Sequence, residues 1–388
     1  MNLKNISNWA ILAQIVGLFC ISNVANAQVK DTKYTFKDIK KIESTSVKDQ
    51  GRSGTCWCFS TNSFLESELL RMGKGEYDLS EMFFVRNDWY EKAIRYVQLH
   101  GGMSWGQGGE FHDVMRIMKE YGAMPQDAYP GKTELPDRYK LNELEGVLKA
   151  MLDAIIKNRD GHLSPYWKDA VNGVLDAYFG KMPETFPYKG QTYTAKSFAA
   201  SLGINPDDYI EITSVTNHPM YSEFVNEIED NWHADPIYNI SLDDMKEVLS
   251  TSIDKGYTIA WGADVSEPGF SFKKGICVLP DVNWDTIPGD KRDTFLKTPM
   301  KQKTVTPEWR QQGLDNYSTT DDHGMQITGI AEDQLGDKFY MVKNSWGTKI
   351  NGLNGYFYAS ESYILAKTTG MMINKKVLPK GLAKKLGV

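Results

Sequence analysis

Apolar residues recur at helical spacing through the first half of the chain and give way to short strand-like runs in the second. Between Trp57 and Met72 no Gly or Pro interrupts a run in which Leu65, Leu69 and Met72 fall four and three residues apart. This predicts a helix closed by Gly73 and Gly75. Leu79 to Val97 predicts a second, with Ser80 as its cap, and Phe111, Met115 and Met118 share one face of a third that ends at Gly122. Leu141 to Ile156 and Tyr166 to Phe179 carry the same period, so the middle of the chain reads as mainly α. After Pro187 the elements shorten. Ser241 and Asp244 resemble a capping box for a helix through Ile253, and Tyr257 to Val265 reads as a buried strand. Met325–Ile330, Lys338–Val342 and Tyr356–Tyr358 follow as short strand-like runs, the first two joined by a turn-prone hexapeptide.

The amino-terminal stretch has another pattern. Lys4 precedes a mostly apolar run, Ala10 to Ile21, and Ala25-Asn26-Ala27 is a small-x-small site, so residues 1–27 are expected to be a signal peptide and residues 28–388 the folded unit. The run is too short to span a bilayer stably, and Phe19 in place of a small residue before Cys20 argues against a lipoprotein, so export to a periplasm or the outside is expected. With 41% hydrophobic and 24% charged residues and a net charge of −6, the 388-residue chain has the composition of a globular protein. It shows no basic block to neutralise nucleic-acid phosphates.

Beyond the expected leader three cysteines remain, Cys56, Cys58 and Cys277, so at least one thiol stays outside any intramolecular disulfide. Cys56 follows a Gly/Ser-rich turn, Asp49 to Thr55, and opens the first predicted helix, where the dipole favours a thiolate and a neighbouring imidazolium would favour it further. Cys58 lies roughly 200° further round the helix and reads as a small buried hydrophobe. Cys277 reads the same way, and a Cys58–Cys277 disulfide stays open. His323 precedes one strand of the predicted hairpin and Asn344 follows the other, so the two side chains should meet at one end of the sheet. An amide oxygen that accepts from one ring nitrogen fixes the imidazole tautomer and leaves the other nitrogen to exchange a proton with a nucleophile. The other histidines, His100, His112, His162, His218 and His233, show no metal-ligand spacing, and neither a metal nor a cofactor is expected.

Gln50 to Ser60 around Cys56, Asp322-His323-Gly324 and Lys343-Asn344-Ser345-Trp346-Gly347, in that order, resemble the papain-type cysteine peptidases. The resemblance implies an α+β, two-part fold, with a helical part facing an antiparallel, barrel-like β part. It implies Cys56 as nucleophile, His323 as general base and then acid, and Asn344 as the group that orients the imidazole. Gln50 and the Cys56 N–H would form the oxyanion hole, and Trp346 would shield the His323–Asn344 bond. A side-chain amide placed across a Gly-rich turn from the nucleophile can stabilise a developing oxyanion by roughly 3 kcal/mol.

Ser53 and Thr55 stand where the papain pattern has Cys and a small residue, and the Cys56-to-His323 interval exceeds the ordinary one by on the order of 120 residues. A mainly helical insertion over about residues 130–235 accounts for the excess. Leu79–Phe84, Gly108-Gly109-Glu110-Phe111, Glu120–Pro125, Asp207-Asp208-Tyr209 and Leu242–Lys246 through Trp261–Val265 are similar to landmarks of the bleomycin hydrolase and aminopeptidase C branch. In that branch Gly108 and Gly109 would line the cleft and pair with the substrate main chain, and the enzyme would be a hexameric aminopeptidase acting on peptides without cofactor. The final residues, Val377 to Val388, show no counterpart of the C-terminal arm that such aminopeptidases extend into the cleft. Endopeptidase or dipeptidyl peptidase action is therefore the alternative. A non-catalytic scaffold, or an acyl transferase in which an amine competes with water, are further readings of the same residues.

Overall fold

The structure, a computed structural model, describes residues 26–132 and 139–388. Residues 1–25, which hold most of the expected leader, lie outside the described residues, and the expected cleavage after Ala27 falls inside the first strand. In chain order that strand, β1 (Asn26–Gln28), and β2 (Thr35–Lys41) lead to three helices, α1 (Cys56–Arg71), α2 (Glu81–Gln98) and α3 (Phe111–Tyr121). Then come α4 (Asn142–Ile156), α5 (Trp167–Phe179), the hairpin β3 (Phe186–Tyr188) and β4 (Gln191–Tyr193), and α6 (Ala195–Leu202). The β part runs through β5 (Tyr209–Thr213), β6 (Glu223–Val225), β7 (Pro236–Asn239), α7 (Leu242–Asp254), β8 (Ile259–Ala263), β9 (Phe270–Ser271) and β10 (Ile276–Cys277). It continues with α8 (Gly289–Leu296), α9 (Pro307–Asp315), β11 (His323–Asp333), β12 (Lys338–Lys343), β13 (Tyr356–Ser360), α10 (Glu361–Lys367), β14 (Thr368–Asn374) and α11 (Lys380–Leu386).

The amphipathic helices form where their period placed them because each buries one face in a shared apolar core. Phe64, Leu65 and Leu69 of α1, Phe84 and Trp89 of α2, Val114 and Ile117 of α3, and Leu148 and Leu175 of α4 and α5 meet there. Local capping fixes their starts. Ser80 accepts from the Phe83 N–H and Ser241 from the Asp244 N–H. The first half of the expected insertion, α4 to α6, thus completes the helical core, whereas β5 joins the main sheet beside β14 and β7 beside β5.

That sheet has 12 strands, with the path β6-β7-β5-β14-β8-β11-β12-β13-β10-β9 and β2 and β1 attached through β11. It is antiparallel except for the two short pairs β5/β7 and β10/β13, and along this path it runs open rather than closing into a barrel. A second apolar core, including Trp261, Ile327, Val342, Phe357 and Ile364, fills its helix-covered side. The long strand β11 is the hinge of the arrangement. Its first residues pair with β8, His323 opposite Ala263, and after a bulge at Ile327/Gly329 its later residues pair with β2.

α1 packs against the start of β11, and this brings Cys56 against Gly324, the residue after His323. A side chain at Gly324 would force Ser60 Oγ, 2.8 Å from its Cβ, to shift and would press on the Cys56 carbonyl carbon at 3.3 Å, so glycine favours the close approach. Lys343 sits between the halves, donating to Ser63 Oγ (2.6 Å) and Thr45 Oγ1 (3.1 Å), and burial lowers its ammonium to about 8. No helix among the described residues is long and apolar enough to cross a membrane.

Candidate active site

Cys56 is the first residue of α1 and is half-buried, with its own N–H unused inside the helix. The backbone N–H groups of Gly324 and Trp57 reach its sulfur. The turn ahead of it is held from both sides: Gly54 N–H donates to Gln107 Oε1 (2.8 Å), and Trp57 Nε1 donates to Gln107 O (3.0 Å).

His323 and Asn344 meet as the hairpin geometry requires, with Nε2 and Oδ1 2.7 Å apart and both residues buried. The tautomer follows from a neighbour. Asn344 Oδ1 also accepts from the Ser345 backbone N–H at 2.8 Å, so that atom is the oxygen, and His323 Nε2 must carry the proton. Nδ1 is then the basic nitrogen. Trp346 lies over the ring, centroids 4.6 Å apart and planes at 28°, and is itself backed edge-on by Phe270 and Phe272.

Gln50 is buried, and its Nε2 donates to Ser53 O (2.8 Å) while its Oε1 accepts from Ser345 Oγ (2.5 Å). One Nε2 hydrogen is left free. The same hydroxyl therefore joins the amide loop to the Asn344 strand end, a link absent from the sequence reading although Ser345 stands inside the Asn-Ser-Trp-Gly motif. Gly109 is buried with its Cα side against the Trp57 ring, and Gly108 O accepts from the buried Lys92 Nζ (2.5 Å). A Cβ on Gly108 would sit 2.0 Å from the Asp230 carboxylate oxygens, a contact no motif announced.

Burial acts on the thiol and the imidazole in opposite senses, pushing Cys56 up to about 12 and His323 down to about 4. Each is a cost of charging one group alone. Charging the two together as a thiolate–imidazolium pair would offset part of each cost, through their mutual attraction in a low-dielectric site and the α1 dipole.

Cys58 and Cys277 are free, fully buried thiols in separate apolar clusters, and Cys58 Sγ donates to Glu81 O at 3.4 Å. No disulfide joins them. His112, Asp113 and Asp235 lie close enough together to hold a cation, but Arg116 is paired with both acids and Glu211 with His112, so the cluster is already neutralised by protein charges.

Residues 185–387 match the Peptidase C1-like family, which is more than half of the chain, and residues 32–153 match the papain family of cysteine proteases. The chain belongs to the Peptidase C1-like family. It is a cysteine peptidase, with Cys56 in the papain-matching segment and His323 and Asn344 in the other. Among curated proteins this peptidase is 24% identical over 384 residues to aminopeptidase C of Listeria monocytogenes, covering 88% of this chain and 83% of that one. It is 22% identical to aminopeptidase C of Lactobacillus delbrueckii subsp. lactis, over 96% and 88% of the two chains. The crystal structure of PepW from Lactobacillus rhamnosis HN001 shares its fold, with a TM-score of 0.68 at 21% identity over 90% of this chain and 84% of that one.

Proposed function

We propose that the protein hydrolyses peptides from their amino terminus through a thioester formed on Cys56. The bond from His323 Nε2 to Asn344 Oδ1 carries this reading, because it leaves Nδ1 basic in the residue preceding Gly324, which packs on the Cys56 backbone at a helix N-terminus. Nδ1 takes the Cys56 proton as Sγ attacks the scissile carbonyl. The oxyanion that forms is met by the free Nε2–H of Gln50 and the Cys56 N–H. As the C–N bond breaks, His323 returns the proton to the leaving amine. Water then adds to the thioester, giving up its proton to Nδ1, and the acid leaves with Cys56 restored. Exopeptidase action is supported by the relatives named aminopeptidase C, which span nearly the whole chain. The endopeptidase alternative rests only on the sequence of the final residues, and the scaffold alternative has no observation behind it.

The test is hydrolysis of a fluorogenic peptide amide with a free or an acetylated N-terminus, in reducing buffer, with Cys56→Ala as the blank. Cys56-dependent cleavage of the free-amine form at a rate at least tenfold above the acetylated one is expected. Equal rates would overturn the aminopeptidase reading, and absence of Cys56-dependent turnover would overturn hydrolysis itself.

A further inference from the structure

A cavity of about 810 Å³ opens next to Asp321, near the strand that carries His323, and its charged lining is of one sign. Asp321, two residues before His323, Thr369, Glu227, Glu229 and Asp315 line it, and among the described residues no Lys or Arg does. The volume exceeds that of a single water by far and suits a whole amino-acid residue.

The charge beside Thr369 is held by few partners. Asp321 accepts from Thr369 Oγ1 (2.6 Å) and is hydrogen-bonded to the carboxyl of buried Glu110; burial pushes Asp321 up to about 7 and Glu110 up as well. Asp230, between Glu229 and Asn231 of the lining, lies against Gly108, and its charge is felt at Cys56, Asp321 and Glu110. Among the described residues Asp230 makes no hydrogen bond and no ion pair. The nearest cation, Lys92, lies behind Gly108 and is committed to Gly106 O, Gly108 O and Asp88. Lys367, near Thr319 on another wall, is paired with Glu267 and Asp264.

The segment carrying Asp230 is built rather than loose. Asn231 bonds the backbone of Asn226 and Asp235, and Trp232 is buried with Lys92 and Arg116 at its ring. Trp232 also lines the cavity. Carboxylates held out of water without a counter-charge are a standing cost that an incoming cation relieves.

We infer that this recess takes a cationic group of the peptide substrate, an ammonium or guanidinium close to the scissile bond, with Asp321 and Asp230 as its counter-charges. The inference rests on the peptidase reading and deepens it to a substrate class. Two sources share that chemistry, the α-ammonium of the peptide and a Lys or Arg side chain.

The test uses four fluorogenic dipeptide amides, with Arg or norleucine as the first residue, each with a free or an acetylated N-terminus. The wild-type chain is compared with Asp230→Asn and Asp321→Asn. Substrates with a cation are expected to exceed acetyl-norleucine by at least tenfold in kcat/KM, and that ratio to fall at least tenfold in each variant. A ratio that follows the acetylation assigns the recess to the α-ammonium, and one that follows Arg assigns it to the side chain. Asp230→Asn removes no hydrogen bond, so its result stands even where Asp321→Asn disturbs the wall. Wild-type turnover indifferent to charge, or an equal fall for all four substrates in the Asp230 variant, overturns the inference while the peptidase reading survives. Absence of any Cys56-dependent turnover overturns both.

Discussion

The amide of Gln50 divides its bonds between structure and chemistry. Oε1 is held by Ser345 and one Nε2 hydrogen by Ser53 O, so the second hydrogen is aimed by its neighbours rather than by solvent. A donor of this kind acts in the transition state more than in the ground state, so Gln50→Ala is expected to lower kcat by about 10²-fold with little change in KM. A rise in KM at constant kcat would instead give Gln50 a purely structural place in the loop. At this scale most of the proposed machinery was legible. Cys56, His323, Asn344, Gln50 and Trp346 each stand in a short motif, because each role needs one residue type at one spot. Ser345 and Gly324 sit in the same motifs without announcing what they do, since a hydroxyl link and a close approach show only once the strands are placed. Asp230 belongs to no motif, and its meeting with Gly108 depends on a segment more than a hundred residues further along the chain.

Among the elements, the helices were readable and several strands were not, for a physical reason. A helix buries one face and shows it as a 3.6-residue period, whereas β14 is buried along its whole length, so Thr368–Asn374 carries no alternation to read. It follows α10 directly, with no turn residues between them. β5 is equally buried throughout and was missed for the same cause. What holds these silent strands is a side chain that no pattern marks. Arg310 of α9 is fully buried and donates to the carbonyl oxygens of Ser214, Leu365, Ala366 and Thr368 and to Thr213 Oγ1, so it ties α9 to the end of β5 and to the α10–β14 junction. Arg310→Met is expected to destabilise the chain by about 3 kcal/mol or more in denaturant unfolding, because it leaves several buried carbonyls unpaired. Arg310→Lys should recover only part of this, since an ammonium lacks the planar five-donor fork. An unfolding midpoint within about 0.5 kcal/mol of wild type for the Met variant would mean that the junction holds itself.

Across the whole molecule, two apolar cores face each other over a seam that is polar almost throughout. Glu68 of α1 accepts from Tyr209 and Asn374, Gln326 bonds Ser63 and Ser67, and His112 of α3 binds Glu211 of β5. His112 is the seam group whose protonation is most telling. Burial lowers its pKa, but the charge and hydrogen bond of Glu211, with Asp113 and Asp235 beyond, outweigh burial and raise it from 6.5 to about 10. Because the folded value lies above the unfolded one, the stabilisation is complete below about pH 6.5 and is lost as pH rises toward 10. His112→Gln removes the cation and leaves Glu211 buried beside a neutral amide, so it is expected to cost a few kcal/mol at pH 6. The stability gap between wild type and variant should then shrink by about 1.4 kcal/mol per pH unit between pH 7 and 9. Taking the difference cancels other groups that titrate in the same window, among them Lys343, whose lowered pKa works in the opposite sense. Urea unfolding of both proteins at pH 6, 7, 8 and 9 measures the gap directly. A gap that stays constant over this range would show that His112 is neutral in the folded state and that the halves are joined there by hydrogen bonds alone.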